Sequence, residues 1–288
     1  MLQVLVAALL SGLSVPVSRL LLVEISPVLM SALLYLGSAG ALIPLIYLRP
    51  VVYRNPVIET RLKSGDLPWL AGSILFGGIF APVLLMYSLP VTPAATASLL
   101  LNFESVATTL LAVAIFKESV GRRVYWAIVL ITAGGVLLSM NTGNGWGISI
   151  GAIGIIGTAF CWGIDNNLTR RISAKDPFAI GGIKGLVSGL ITLTLAFILH
   201  EPLPGTFVML EALALGSISY GIALALFISS LRFLGAARTS ALFGTAPFWG
   251  VLLAFFVFRE IHWLVFISLP LMALGTLLLL GEKEIIDQ

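Results

Sequence analysis

Few polar or ionisable side chains stand deep inside the apolar runs of this chain, and three groups of them have types and spacing suited to chemistry. Asn102, Glu104 and Ser105 lie about ten residues from either end of the run 94–116. A carboxylate at mid-bilayer costs on the order of 3 kcal/mol to insert, so Glu104 must face protein or water rather than lipid. There it suits proton uptake or the binding of an ammonium group, or else a protonated contact between helices. Asn102 and Ser105 share roughly one helical face, and Glu104 sits beside Ser105 at about 100°. Thr108 and Thr109 extend the polar stripe by one turn.

The second group is Trp162, Asp165, Asn166 and Asn167, just before Arg170. Three consecutive polar residues cover about 200° of a helix, so they cannot all point inward. The third is Lys184 among Gly181, Gly182, Gly185 and Gly189. Asp165 and Lys184 are expected at similar depth, where they pair or share a hydrogen-bond network. That network either glues two helices or touches a substrate. Tyr87, Trp162, Tyr220 and Trp249 complete the candidate binding residues, as aromatic surface for an apolar or cationic ligand part. Other chemistries lack parts. His200 and His262 stand at run ends, Asp165 is the only Asp within a run, and no Asp, Glu or His cluster suits a metal. An enzyme is therefore not expected, nor a metal or cofactor site. Cys161 is the single cysteine, which excludes a disulfide framework.

The elements that must hold these residues follow from composition. The chain has 288 residues, 59% hydrophobic and 10% charged, and a mean hydropathy of +1.08. One soluble core cannot hide that much apolar surface, so the chain belongs in a bilayer. A helix crossing about 30 Å of hydrocarbon needs roughly 20 apolar residues. Ten such spans are predicted, at about 2–22, 27–48, 67–88, 94–116, 122–140, 147–169, 178–199, 207–231, 237–258 and 262–281. The first lacks a charged leader and reads as a retained helix rather than a signal peptide. Pro16 should bend it, and Gly77, Gly78 and Pro82 should bend the third span. Spans 5 and 10 are nearly uniform Leu, Val and Ile with Gly134, Gly135, Gly275 and Gly281, which suits peripheral helices and a homodimer contact.

Charge placement orients the chain. With the N-terminus in the cytoplasm, thirteen of the sixteen Lys and Arg residues fall in cytoplasmic loops, including Arg49, Arg54, Lys117, Arg170, Arg232, Arg238 and Lys283. Arg19 and Arg259 fall on the other side and Lys184 within a span. This asymmetry puts both termini inside. The net charge of +3 thus reflects topology, and no nucleic-acid partner is expected.

The segment Ala94–Glu118 recurs as Ala236–Glu260, 142 places on, with nine of 25 positions identical and the same ending of Phe, a basic residue and Glu. A repeat holding five spans, an odd number, enters the membrane upside down the second time. Residues 1–142 and 143–288 are then expected as inverted five-helix repeats around a central cavity, the plan of many secondary transporters.

Ten spans, the duplication, and the segments PFWGVLLAFFVFRE and ESVATTLLAVAIFKESVGRRVYWAIVLITAGGVLL resemble the EamA-type members of the drug/metabolite transporter superfamily. Within it, LLLNFES and AFCWGIDNNLTRR look most like the YddG-type exporters of aromatic and other amino acids. The resemblance implies an all-α membrane protein with a cavity between spans 1–4 and 6–9, spans 5 and 10 outside, and export by alternating access. In a bacterium the membrane would be the inner one. Where the second repeat has Pro247 the first has Ser105, so no proline bend is expected in span 4. A phosphate-bearing substrate would need several buried cations, and only Lys184 is at depth. A zwitterion needs fewer: Glu104 for the ammonium, amides, hydroxyls or Lys184 for the carboxylate, and Tyr87, Trp162 and Trp249 for the side chain. Amino acids are therefore the expected substrates, with other small metabolites or drugs as the alternative.

Overall fold

The computed structural model describes residues 1–52, 60–116, 121–139, 149–259 and 263–280. Arg54, Lys117, Glu118, Glu260, His262, Gly281 and Lys283, used above for the repeat ends and the charge pattern, lie outside them. The described chain is helical throughout, with one isolated bridge between Thr60 and Lys175. Its elements are α1 (Leu2–Gly12), α2 (Ser14–Leu21), α3 (Pro27–Val52), α4 (Leu67–Ser73), α5 (Ala81–Ser88), α6 (Ala94–Leu100) and α7 (Phe103–Phe116) in the first half. After α8 (Arg122–Ser139) come α9 (Ile150–Ile172), α10 (Pro177–Ile198), α11 (Thr206–Leu215), α12 (Ala223–Phe243), α13 (Ala246–Phe258) and α14 (Trp263–Leu280).

Among the described residues, seven stretches are long and apolar enough to cross a membrane: Leu2–Leu21, Pro27–Leu48, Ser64–Val91, Ala94–Ala114, Arg122–Ser139, Pro177–Ile198 and Thr206–Ser230. Ala246–Phe258 and Trp263–Leu279 are apolar but shorter. The 23-residue α9 has the length to span, and Asp165, Asn166 and Asn167 make one end of it polar. Large apolar side chains stand exposed along the outer helices, among them Trp126, Phe207, Phe256, Phe266 and Leu277. A soluble surface does not carry such a belt, and a bilayer covers it.

The helices are interrupted where the sequence weakens the backbone ladder. The bend expected at Pro16 falls at Leu13, between α1 and α2, because a proline disrupts the turn that precedes it. Between α4 and α5 the segment Ile74–Phe80 winds as a π-helix, and between α11 and α12 so does Gly216–Ile222, at the same register 142 residues on. Such wide turns are rare and leave carbonyls open to outside donors. The span predicted at 94–116 breaks at Leu101–Asn102 without a proline: Asn102 N, Glu104 N and Ser105 N bond three residues back, to Leu99 O, Leu101 O and Asn102 O. In the second half the break predicted near 232–236 does not occur, and α12 continues to Phe243 before Gly244 and Thr245 interrupt it. Gly235 is the one weak helix former there, and its cost of about 1 kcal/mol is outweighed by its Leu, Ala and Arg neighbours.

Counterpart helices of the two halves pack on each other. Gly181 and Gly182 of α10 meet Leu42 and Ile43 of α3, Gly185 meets Tyr35 and Ala39, and Gly189 meets Leu36. The pair is thus antiparallel, and so close that a Cβ on these glycines would crowd α3. Its end is fastened by Glu201, whose Oε2 accepts from Ser26 Oγ at 2.7 Å and from the Leu29 amide at 2.8 Å. His200, in the left-handed region at φ 56°, turns the chain out of α10 to bring Glu201 there. In the same sense, α8 and α14 run antiparallel, with Gly134 against Met272 and Ser268, and Gly275 against Ile131 and Ala127. Of the glycines read above as a contact face, Gly134, Gly135 and Gly275 are thus used within the chain.

Candidate functional site

The predicted polar groups converge on a cavity of about 120 Å³ between the halves. That is several times the roughly 10–15 Å³ a cavity needs to hold a single water, and leaves room for a small organic solute. Eight of the ten residues singled out in the sequence line it: Asn102, Glu104, Ser105, Trp162, Asp165, Asn166, Lys184 and Tyr220.

Helix α9 organises the charged wall. Asp165 points toward α4 and α10, where Lys184 Nζ donates to its Oδ2 in a buried ion pair. Its Oδ1 accepts from Ser73 Oγ and from Thr169 Oγ1, the latter at 3.0 Å, and Ser73 and Thr169 are themselves 3.0 Å apart. A buried pair is tolerable only when further hydrogen bonds replace the lost water, and Asp165 Oδ1 has two of them, from Ser73 and Thr169. Gly77 leaves the room: a Cβ there would strike the Asp165 carboxylate.

One residue along, Asn166 turns to α7. Its Nδ2 donates to Glu104 Oε1 at 2.7 Å and to Thr108 Oγ1 at 3.2 Å, while Thr108 Oγ1 donates to the Glu104 carbonyl. No described residue donates to Glu104 Oε2, so this half-buried carboxylate offers one oxygen to the cavity it lines. Asn167 faces away and ties α9 to α7 through Thr108 O at 3.1 Å. The three consecutive polar residues thus divide between α4 and α10 on one side and α7 on the other, from one continuous helix.

The π-helical turn of the first half supplies a carbonyl to the same wall. Gly77 O accepts from Tyr35 Oη and, at 3.2 Å, from Trp162 Nε1. Tyr35 in turn packs on Tyr220, ring centroids 5.4 Å apart. Another wall is apolar: Phe227 and Phe243 of α12, with ring centroids 4.7 Å apart and planes tilted by 55°, line it with Leu224, Ala246 and Pro247. The cavity therefore has a carboxylate face and an aromatic face.

Two predicted residues lie elsewhere. Tyr87 is 52% exposed on α5, in line with Phe80 and Leu84, while Ala81, Pro82, Leu85 and Met86 turn inward. Trp249 is 40% exposed on α13, in line with Leu252 and Phe256, while Gly250, Val251 and Ala254 are buried. The three- and four-residue spacings put both rings on the lipid side of their helices. Conversely, Tyr35, Ser98, Phe227 and Phe243 line the cavity and were not among the candidates. For Tyr35 the signal was a hydroxyl in a run otherwise of small and apolar residues.

A helical bundle exposing an apolar belt to lipid, with a solute-sized polar cavity held between two halves, defines a multi-pass membrane transporter. The EamA-like transporter family matches the chain twice, over residues 1–140 and 149–281, and the chain belongs to that family. An uncharacterized transporter of Methanothermobacter thermautotrophicus is 30% identical over 274 residues, 90% of this chain and 79% of that protein. A solved crystal structure has the same fold, with a TM-score of 0.69 and 20% identity over 96% of this chain and 94% of the other.

Proposed function

We propose that the chain is a secondary transporter that exports amino acids, aromatic and other neutral ones, across the plasma membrane by alternating access. The observation that carries this reading is the two-faced cavity, with Glu104 Oε2 free of donors among the described residues on one wall and the Phe227–Phe243 pair on another. An ammonium group suits the first and an apolar side chain the second. Trp162 and the Tyr35–Tyr220 pair add aromatic surface between them. The export direction comes from the YddG-type resemblance.

The antiparallel packing of α3 on α10 and of α8 on α14 supports an inverted relation between residues 1–142 and 143–288. Counterpart helices meet head to tail when the axis relating them lies in the membrane plane. The bias of basic residues supports cytoplasmic termini. A homodimer through spans 5 and 10 would use their outward side chains, such as Trp126 and Phe266, since the glycine faces are occupied.

A second reading, export of a small cationic metabolite or drug, is favoured by one observation. Lys184 is committed to Asp165, so among the described residues lining the cavity Glu104 is a carboxylate without a cation partner and no cation is left for a substrate carboxylate. Purified protein in liposomes, tested for flux of labelled amino acids and of the corresponding amines with and without a pH gradient, separates the two. Amino-acid flux that disappears in Glu104→Gln is the expected result. Flux of amines alone supports the second reading, and normal amino-acid flux in Glu104→Gln at every pH overturns the role given to Glu104.

A further inference from the structure

The orientation of Asn166 decides which oxygen of Glu104 is open. Thr108 Oγ1 donates to the Glu104 carbonyl at 2.7 Å, so its hydrogen is spent and it meets Asn166 as an acceptor, at 3.2 Å. Asn166 therefore turns its Nδ2 to this corner, and the second N–H of that nitrogen reaches Glu104 Oε1 at 2.7 Å. Oε1 is thereby held as an acceptor. In a neutral carboxyl group the carbonyl oxygen is the stronger acceptor, so a proton taken up by Glu104 sits on Oε2. No described residue donates to Oε2, and it is not among the atoms buried without a partner, so it is open to the cavity that Glu104 lines.

The charges around it are balanced. Asp165 of α9 and Lys184 of α10 act on Glu104 as an ion pair already closed on itself, and the phenols of Tyr35 and Tyr220 stand toward it from α3 and the second π-helical turn. On its other side α7 packs on α8, where Gly135 meets Phe103, and Arg122, Arg123 and Tyr125 lie at the opposite end of that helix. Among the described residues lining the cavity, Glu104 thus carries the charge left to balance. Either a proton or a substrate ammonium can do so. A proton on Oε2 makes that atom a donor, which shuts out the N–H donors of an ammonium. Resting on the reading of Glu104 as an amine site, we propose that proton and substrate ammonium exchange at Glu104 Oε2, and that Asn166 is the positioning residue that confines both to this atom. As the ammonium arrives, the O–H bond at Oε2 breaks, the proton leaves to water, and the carboxylate keeps the electron pair and accepts the N–H donors. The charge in the cavity is the same before and after. Releasing the substrate outside strands a carboxylate within the membrane until a proton returns, so each substrate carried out is matched by one proton carried in.

The test is titration calorimetry of phenylalanine and phenethylamine with the full-length protein in lipid nanodiscs. Buffers of different ionisation enthalpy are used from acid to neutral pH, where neither ammonium titrates. Affinity should be highest at neutral pH and fall by up to about tenfold per unit as pH drops through the titration of Glu104, with about one proton released per solute bound there. Asn166→Leu withdraws a donor from the charged form, so the pH of half-maximal affinity should rise by about one unit, the worth of one hydrogen bond to a charged group. A purely structural role would lower affinity equally at every pH. If Asn166→Leu does not fold, Thr108→Val, which frees the amide to turn, should move the profile the same way, and Thr108→Ser should restore it. Binding without proton release at any pH overturns the exchange and leaves amine binding intact. A profile unmoved in the variant that folds overturns the positioning role. Binding of neither compound at any pH overturns the amine reading of Glu104, and this inference with it.

Discussion

The two helix breaks that face the cavity have the same backbone shape and opposite chemistry. At Leu101–Asn102, Asn102 N and Glu104 N bond three residues back, both at 2.9 Å; at Gly244–Thr245, Thr245 N and Phe248 N do so at 3.2 and 3.1 Å. The second break uses residues that disfavour helix, Gly244 and Pro247. The first has neither glycine nor proline, and is tied instead by the Asn102 side chain to α14. Around it stand Glu104 and Ser105, around the other Ala246 and Pro247. A duplicated break can thus be kept by different means, and the copy freed from glycine and proline is the one that carries charge. The π-helical turns repeat the lesson. Ser219 reaches Leu10 O at 2.7 Å, where its counterpart Gly77 has no side chain and leaves room for Asp165.

This asymmetry can be broken or sharpened in order of expected effect. Lys184→Met leaves Asp165 buried without its counter-charge and should cost about 3–5 kcal/mol, read as a lower unfolding temperature of the solubilised protein. Adding Asp165→Leu should recover most of that loss, and equal destabilisation of single and double variants would show that the pair is not coupled. Next, Glu104→Gln should reduce transport by about ten- to a hundredfold, the worth of a hydrogen bond to a charged group. The mirror substitution Ala246→Gln, at the counterpart position, should change it far less. Similar losses at both positions would erase the distinction between the breaks. Phe243→Ala, on the apolar wall, should lower preference for aromatic over small substrates by about tenfold, the worth of one aromatic contact. Competition assays in liposomes read this ratio. Smallest of all, Tyr87→Leu and Trp249→Leu, on lipid-facing surfaces, should leave flux within about twofold.

What could be read in the sequence were the features that violate the solvent. Glu104, Asp165 and Lys184 stand out because charge inside an apolar run demands a reason, and their depth alone brought Asp165 and Lys184 together. The duplication was visible in Ala94–Glu118, and the family match over residues 1–140 and 149–281 agrees with it. The facing of aromatic residues was not legible. Helices such as α5 and α13 are apolar all round, so no periodicity separates core from lipid, and Tyr87 looked as inward as Phe227. The break at Asn102 was missed for another reason. It depends on Thr276, 174 residues away, and no local pattern announces such a bond.

The glycine seam between α3 and α10 has a mechanical consequence. Helices that touch at backbone distance, and are clasped at one end by Glu201 on Ser26 and Leu29, cannot separate without opening a void and stranding a carboxylate. In the alternating-access cycle proposed above, the pair would serve as an axle on which the halves rock, and the cavity sits against it, with Tyr35 on one helix and Lys184 on the other. Parts near an axle travel least. A solute held there would stay nearly still while the ends of the bundle swing past it, so the barrier moves and the cargo does not.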